Sequence, residues 1–195
     1  MLDYGIGNLR SAEKALQRVG ADARLVASPA EAEAADGVVL PGVGSFGPSA
    51  RALRESGLVE VADSALASGV PFLGICVGLQ LLYAASEEDP EEPGLGVFDH
   101  QVRRLPSRVK RPQMQWNRLE PTGGGRMLAG LGDAWVYFVH SYAPEPTPET
   151  VAYCDYGGPV VAAIERDSLW GVQFHPEKSG ESGLKLLANF VDLCR

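Results

Sequence analysis

The chain has 195 residues, 45% of them hydrophobic and 22% charged, with a formal net charge of −8. That balance suits one globular domain with a substantial core, and the acidic surplus argues against general nucleic-acid binding, which needs a basic surface. No apolar run reaches the length of a membrane span, and the N-terminus has no signal-peptide layout. The three cysteines, Cys76, Cys154 and Cys194, are widely spaced and show no metal-ligand pattern, which points to a reducing compartment, hence the cytoplasm.

Met1-Leu2-Asp3-Tyr4-Gly5-Ile6-Gly7-Asn8 reads as the end of a strand running into a Gly-rich loop. A full first strand would supply several more apolar residues before Asp3, so either the true start lies upstream or this strand is very short. From Asn8 onward, Leu9, Ala12, Leu16 and Val19 keep helical spacing as far as a stop at Gly20. Ala23 to Val26 reads as a strand. Ser28-Pro29-Ala30-Glu31 has the layout of a helix start, with Ser as N-cap, Pro in the first turn and Glu at the capping-box position. Gly37-Val38-Val39-Leu40 is a short strand leading into Pro41-Gly42-Val43-Gly44-Ser45-Phe46-Gly47. Helical segments follow near Ser49 to Glu55 and Leu58 to Ala67. Strand and helix alternating at this spacing predict a parallel sheet covered on both faces, with ligands gathering at the carboxyl ends of its strands.

Val70 to Leu82, V-P-F-L-G-I-C-V-G-L-Q-L-L, is the most informative stretch. An apolar run bounded by Gly69 and Pro71 reads as a buried strand, breaks at Gly74-Ile75-Cys76-Val77-Gly78, and resumes as a helix-like run from Leu79 to Ala85. Glycine two before and two after a nucleophile is the pattern of a nucleophile elbow, here with Cys in place of Ser. The sharp turn exposes the central side chain, the flanking glycines let strand and helix approach closely, and a helix N-terminus favours thiolate. A buried structural cysteine is the competing reading of the same stretch.

Ser86 to Pro93, S-E-E-D-P-E-E-P, reads as a solvated acidic loop. Beyond it the chain becomes β-rich. Val97 to Leu119, Trp135 to His140, Val151 to Tyr156 and Val160 to Val172 are short runs separated by Gly and Pro, suggesting antiparallel or mixed strands that extend the sheet. Thr122-Gly123-Gly124-Gly125 is a turn or loop. The basic run Arg103-Arg104 and Arg108-Val109-Lys110-Arg111 is either a solvated loop or a face toward an acidic partner. Ser182 to Leu193 closes the chain as an amphipathic helix with Leu184, Leu187, Phe190 and Val191 on one side.

Two constellations carry chemistry. Gly42-Val43-Gly44-Ser45-Phe46-Gly47 is formally G-x-G-x-x-G after a strand, but residues 58–67 look helical where a dinucleotide site needs a second strand ending in an acid. Bare backbone N–H groups near Cys76, able to stabilise an oxyanion, are a better use of the loop; a plain tight turn is the alternative. The second constellation is Phe174-His175-Pro176-Glu177-Lys178-Ser179, after the apolar strand Leu169 to Phe174. Residues two apart in an extended segment share a side, so Glu177 can hold one ring nitrogen of His175 while the other takes the thiol proton. Of the other histidines, His100 lies in a polar, exposed context, and His140 reads as a core or loop-anchoring residue rather than a base.

With G-I-C-V-G-L-Q at 74–80 and F-H-P-E at 174–177, the chain resembles the class I (triad) glutamine amidotransferases. Asp3-Tyr4-Gly5-Ile6-Gly7-Asn8, Pro41-Gly42-Val43-Gly44-Ser45-Phe46, Tyr137 to Tyr142 and Lys178-Ser179 look like the glutaminase subunits of imidazole glycerol phosphate synthases. The resemblance spans essentially the whole chain. It implies a single domain over 1–195, an α/β three-layer sandwich with a mostly parallel central sheet and added antiparallel strands. It also implies ammonia release from glutamine for histidine biosynthesis, with no metal or organic cofactor. A (β/α)8-barrel cyclase would be the heterodimer partner. Carried over, Cys76 forms a thioester with glutamine, His175 shuttles the proton and Glu177 holds His175. The backbone N–H groups of Val43 and Val77 are the oxyanion donors, Gly44, Gln80, Ser141 and Tyr142 hold the substrate, and Asn8, Trp116 and Lys178 face the partner. Where the family usually has His-Met-Gly-Trp-Asn, this chain has Gln113-Met114-Gln115-Trp116-Asn117, in the segment that faces the cyclase. The competing functions are a glutaminase subunit of another synthase, such as that for pyridoxal phosphate, anthranilate or carbamoyl phosphate, and a non-catalytic regulatory homologue. A general cysteine peptidase has no peptide groove marked in the sequence.

Overall fold

The computed structural model describes residues 1–6, 9–32 and 35–195. In chain order, α1 (Leu9–Arg18) buries Leu9, Ala12 and Leu16, the positions its helical spacing picks out. The reading of 23–26 as a strand reduces to one parallel bridge, Leu2 to Val26, because this polar, half-exposed segment meets only the short N-terminal residues. The expected helix start at Ser28 is a 3-10 turn, Pro29–Ala32. There the Glu31 carboxylate accepts from the Ala27 N–H at 2.8 Å, one residue earlier than a capping box would place it. Next come β1 (Val38–Gly42), α2 (Phe46–Glu55), α3 (Val59–Ser68) and β2 (Phe72–Cys76). Helix α2 begins three residues before Ser49, since Pro48 sits in its first turn, where a missing N–H costs nothing.

The helical run expected from Leu79 to Ala85 is corrected. A single turn, α4 (Val77–Gln80), gives way to strand β3 (Tyr83–Ser86). Leu79 to Tyr83 are all buried, the polar Gln80 included, so no exposed position marks a face and periodicity cannot separate a helix from a buried strand. Strands β4 (Phe98–Arg104), β5 (Gln113–Arg118), β6 (Glu120–Pro121), β7 (Trp135–His140), β8 (Tyr142–Pro144), β9 (Thr150–Asp155), β10 (Pro159–Arg166) and β11 (Leu169–Val172) follow. Helix α5 (Gly180–Leu193) closes the chain and packs on α1.

The fold is α/β. Its six-stranded sheet has the order β1-β2-β11-β10-β9-β6. Pairings β1–β2 and β2–β11 are parallel, and those from β11 outward are antiparallel. Leu2 extends the parallel half beyond β1 by donating to the Val39 carbonyl at 3.0 Å. Every residue of β1, β2 and β11 is buried, as strands covered on both faces must be. Two smaller sheets, β3-β4-β8 and β5-β7, flank the carboxyl ends of these strands.

The parallel register sets Gly42 beside Cys76, so both chains leave the sheet at one level. The turn beyond Cys76 is unusually tight. A Cβ on Gly78 would lie 1.8 Å from the Leu40 carbonyl oxygen, and one on Gly74 would lie 2.8 Å from the Gly78 carbonyl oxygen. Helix α4 therefore rests directly on the backbone of β1 and β2. Replacing Gly78 by Ala should destabilise the fold by about 3 kcal/mol or more, at the upper end of overpacking penalties. Urea unfolding followed by circular dichroism measures this, and a midpoint equal to wild type would contradict the contact.

Candidate active site

Cys76 closes β2 with φ 55° and ψ −111°, a conformation that side chains with a Cβ rarely adopt. The strained turn directs its side chain into a cleft of about 330 Å³ at the carboxyl ends of β1 and β2. Val43, Gly44, Val77, Gln80, Ser141, Tyr142, His175 and Lys178 line the same cleft. The residues read from the sequence as nucleophile, base, oxyanion donors and substrate contacts thus converge on one place. Glu177 stands behind His175, its carboxylate 2.8 Å from ring Nδ1. Trp116 is instead on the outer face of β5, against Tyr137, and Lys178 is exposed at the cleft mouth. Asn8 lies outside the described residues.

The short segment after β11 is anchored at several points. The His175 N–H donates to the Tyr137 carbonyl at 2.9 Å, and the Ser179 hydroxyl donates to the His175 carbonyl at 2.6 Å while accepting from the Tyr137 N–H at 3.0 Å. Burial alone would drive the proton off the His175 ring, but hydrogen bonds and charge from Cys76 and Glu177 overcome it and raise the pKa from 6.5 to about 10. A ring kept protonated at neutral pH beside the Cys76 sulfur is placed to give up a proton there. Helix α4 has four residues, so its contribution is the bare N–H groups of its first turn rather than a long dipole.

Three residues at the site escape the sequence reading. Gln173 is fully buried and donates from Nε2 to the Cys76 sulfur at 3.7 Å. Its orientation is set by Gln80, whose Nε2 donates both to Gln173 Oε1 at 3.0 Å and to the Tyr142 carbonyl at 2.9 Å. Both Gln80 N–H groups are therefore engaged within the protein, leaving its carbonyl oxygen for a ligand. The 173–177 segment is not extended as expected: β11 ends at Val172 and Glu177 lies in a 3-10 turn, Pro176–Lys178, which brings its carboxylate to His175, so no strand spacing marks Gln173. Glu88 lines the cleft, and its carboxylate accepts from the Phe46 N–H at 2.8 Å, at the start of α2. This corrects the reading of 86–93 as a merely solvated loop, for Asp89 and Glu92 also pair with Arg51 of the same helix. Tyr4 donates to the Pro41 carbonyl at 2.5 Å and so fixes the strand end that feeds the 43–45 loop.

Three side chains of the basic run are engaged within the chain. Arg103 pairs with Glu87 and Glu145, Arg108 donates to the Gly157 carbonyl, and Arg111 donates to the Leu105 carbonyl. Among the described residues no cluster of His, Cys, Asp and Glu is arranged to hold a metal ion.

A nucleophilic cysteine on a strained strand–helix turn, with a histidine and an acid supplied by a later strand, defines a cysteine-dependent acyl-transfer site. The chain belongs to the class-I glutamine amidotransferase family, whose model matches residues 1–194. It is 48% identical over 193 residues to the imidazole glycerol phosphate synthase subunit HisH of Desulfitobacterium hafniense (strain Y51), covering 97% of this chain and 92% of that one. The subunit of the same name from Methanothermobacter thermautotrophicus is 48% identical over 196 residues, covering 100% and 98%. That from Synechococcus elongatus is 50% identical over 198 residues, covering 98% and 91%. Among solved structures, one described as a glutamine amidotransferase superposes with a TM-score of 0.79 at 22% identity, covering 99% of this chain and 97% of that one. PurLQS from Thermotoga maritima superposes at 0.78 and 19% identity, covering 100% and 97%. These structural likenesses bear on the fold.

His140 also lines the cleft, and burial lowers its pKa from 6.5 to about 4 against the Tyr142 carbonyl, with charge at His175 acting in the same direction as burial. Between those pH values the unfolded chain binds a proton that the folded chain refuses. The stability contributed by this residue is complete above pH 6.5 and is lost as pH falls toward 4. Urea midpoints measured across that range should fall more steeply for wild type than for His140→Phe. Equal slopes would show that the ring is not held neutral.

Proposed function

We propose that this cleft hydrolyses the side-chain amide of glutamine through a thioester on Cys76, and that the ammonia passes to a (β/α)8-barrel cyclase partner. As a class-I glutamine amidotransferase the chain is a glutaminase, of the kind that serves imidazole glycerol phosphate synthase in histidine biosynthesis. The observation that carries the site assignment is that Cys76 and His175 line one cleft, with His175 Nδ1 held by the Glu177 carboxylate at 2.8 Å.

The thiolate attacks the amide carbon, and the negative charge that develops on oxygen meets the N–H groups of Val43 and Val77. Val77 opens α4, so its N–H has no partner within the helix. A donor of this kind is worth roughly 3 kcal/mol in the transition state. Collapse to the thioester expels the amide nitrogen with the proton from His175. Water, deprotonated by the same ring, then returns glutamate and the thiolate. Gly44 and the Ser141-Tyr142 backbone hold the amino-acid end of the substrate, with the carbonyl of Gln80. Among the described residues Glu88 is the one carboxylate lining the cleft, and it would meet the substrate ammonium. Residues 1–195 act as one glutamine amidotransferase domain.

The outer face of the β5–β7 ribbon supports a docked partner. Register places Met114 opposite Val139, Trp116 opposite Tyr137 and Arg118 opposite Trp135, all on one face. Met114, Trp116 and Trp135 are 62%, 47% and 54% exposed, an apolar strip that a partner would cover. The strip begins at Val139, which lines the cleft, so a subunit seated there would abut the exit for ammonia, with Lys178 at the same mouth. Asn8 is proposed to face that partner as well. A cytoplasmic setting is supported by the three free thiols. Among the described residues no helix is long and apolar enough to cross a membrane.

Cys76→Ala should abolish ammonia release from glutamine while the complex still forms product from added ammonium; glutamine-dependent turnover in that variant would refute the assignment. Trp116→Ala should weaken association with the synthase subunit by about tenfold or more, as loss of a buried aromatic anchor does. Calorimetric titration reads this, and unchanged affinity would move the interface elsewhere.

A further inference from the structure

His140 takes no part in the thioester chemistry, although it stands in the cleft wall with Cys76 and His175. Its ring is held from one side. Nδ1 lies 2.9 Å from the Tyr142 carbonyl oxygen, and since a carbonyl only accepts, the proton must sit on Nδ1. Nε2 is then a bare acceptor. It is fully buried and has no hydrogen-bond partner within the protein. Of the buried side-chain atoms in that condition among the described residues, it alone belongs to a residue lining the cleft. An unpartnered buried acceptor is costly unless something donates to it, and a ligand in the cleft that carries N–H groups can be that donor.

Glutamine brings such donors. Its side-chain nitrogen carries two N–H groups, and once the carbonyl is anionic neither is served by Val43 or Val77, which offer donors only. As the C–N bond breaks, the bonding pair stays on nitrogen and takes the proton from His175, while carbon keeps its bond to sulfur. The departing group is neutral ammonia with three N–H groups in a dry pocket. We propose that His140 is a further catalytic residue of this step, its Nε2 accepting a hydrogen bond from the leaving nitrogen while His175 protonates it. No proton passes to His140. Because burial keeps the ring neutral at physiological pH, it offers ammonia an acceptor without the means to convert it to ammonium. This rests on the glutaminase reading of the cleft and adds to it the recognition of the leaving group.

The test compares two substrates that differ only there, glutamine and the γ-methyl ester of glutamate, whose leaving oxygen carries no N–H. His140→Asn keeps a nitrogen near the position of Nδ1, and with it the Tyr142 contact, but loses the Nε2 acceptor. With the synthase subunit present, kcat/KM for glutamine should fall by about tenfold or more, while that for the ester stays within about twofold. His140→Gln, which restores an acceptor near the Nε2 position, should recover most of the loss. If His140→Asn does not fold, His140→Phe gives the same shift in the amide-to-ester ratio, a quantity from which general loosening of the cleft cancels. Equal loss on both substrates, or loss on neither, would overturn the role of His140 and leave the glutaminase reading standing. A wild-type chain that cleaves neither substrate would sink both.

Discussion

Everything at the site depends on how closely α4 is pressed onto the ends of β1 and β2. Gly74 and Gly78 allow this because any side chain at either would overlap backbone atoms of the neighbouring element. The contact holds Cys76 in a conformation that costs on the order of 1–3 kcal/mol. Burial offsets that strain locally: Leu40, Leu73 and Leu79 are fully enclosed around the turn, and each such side chain contributes about 2 kcal/mol. Gly171 on β11 completes the packing, leaving room for Leu79 where a Cβ would lie 2.5 Å from its methyl group. The same glycines therefore admit the helix, fix the sulfur and set the distance to the strand that supplies His175.

The 43–45 loop is held by a different part of the chain. Helix α2 comes directly after the loop, and its first N–H is taken by Glu88. Arg51 and Arg54 on that helix reach Glu92, and Arg51 also meets Asp89. Exposed pairs of this sort contribute little individually, so their role is geometric more than energetic. Glu88 is itself steadied by the Ser86 hydroxyl, which accepts from its N–H at 3.1 Å. The acidic segment thus binds α2 to β3 and presents one carboxylate to the cleft while doing so.

Much of this is legible in the sequence where a residue's local pattern carries its structural role. Trp135–His140 emerges with the bounds its β-rich run suggests, and α1 buries Leu9, Ala12 and Leu16 as their spacing predicts, with Glu13 and Ala15 added and Val19 left beyond its end. Cys76, His175 and Glu177 stand out because the glycine spacing and the acid two residues after the histidine are local pattern. The illegible features depend on distant partners. Nothing near Glu88 distinguishes it from Glu87 or Glu91; only the fold carries it to Phe46, 42 positions back in the chain. Residues 79–85 mislead because tertiary burial, not periodicity, decides between helix and strand in a short, mostly apolar run. Ala23–Val26 keeps only one bridge because strand propensity without a long neighbour cannot sustain a ladder.

The two histidines of the cleft show how one pocket supports opposite proton states. Both rings are buried, which disfavours charge on each. His175 gains a carboxylate on one side and a sulfur on the other, and their combined pull outweighs desolvation. His140 gains only a neutral carbonyl, and the positive charge next door adds to the penalty of protonating it. Environments that separate two like groups in this way assign their roles, one as proton donor and the other as acceptor. Burial is the main reason His140 stays neutral, the charge on His175 adds to it, and a neutral His140 in turn adds no repulsion that would drive the proton from His175. Glu177 acts on the first ring, whose charge it supports, while burial at the end of β7 sets the state of the second.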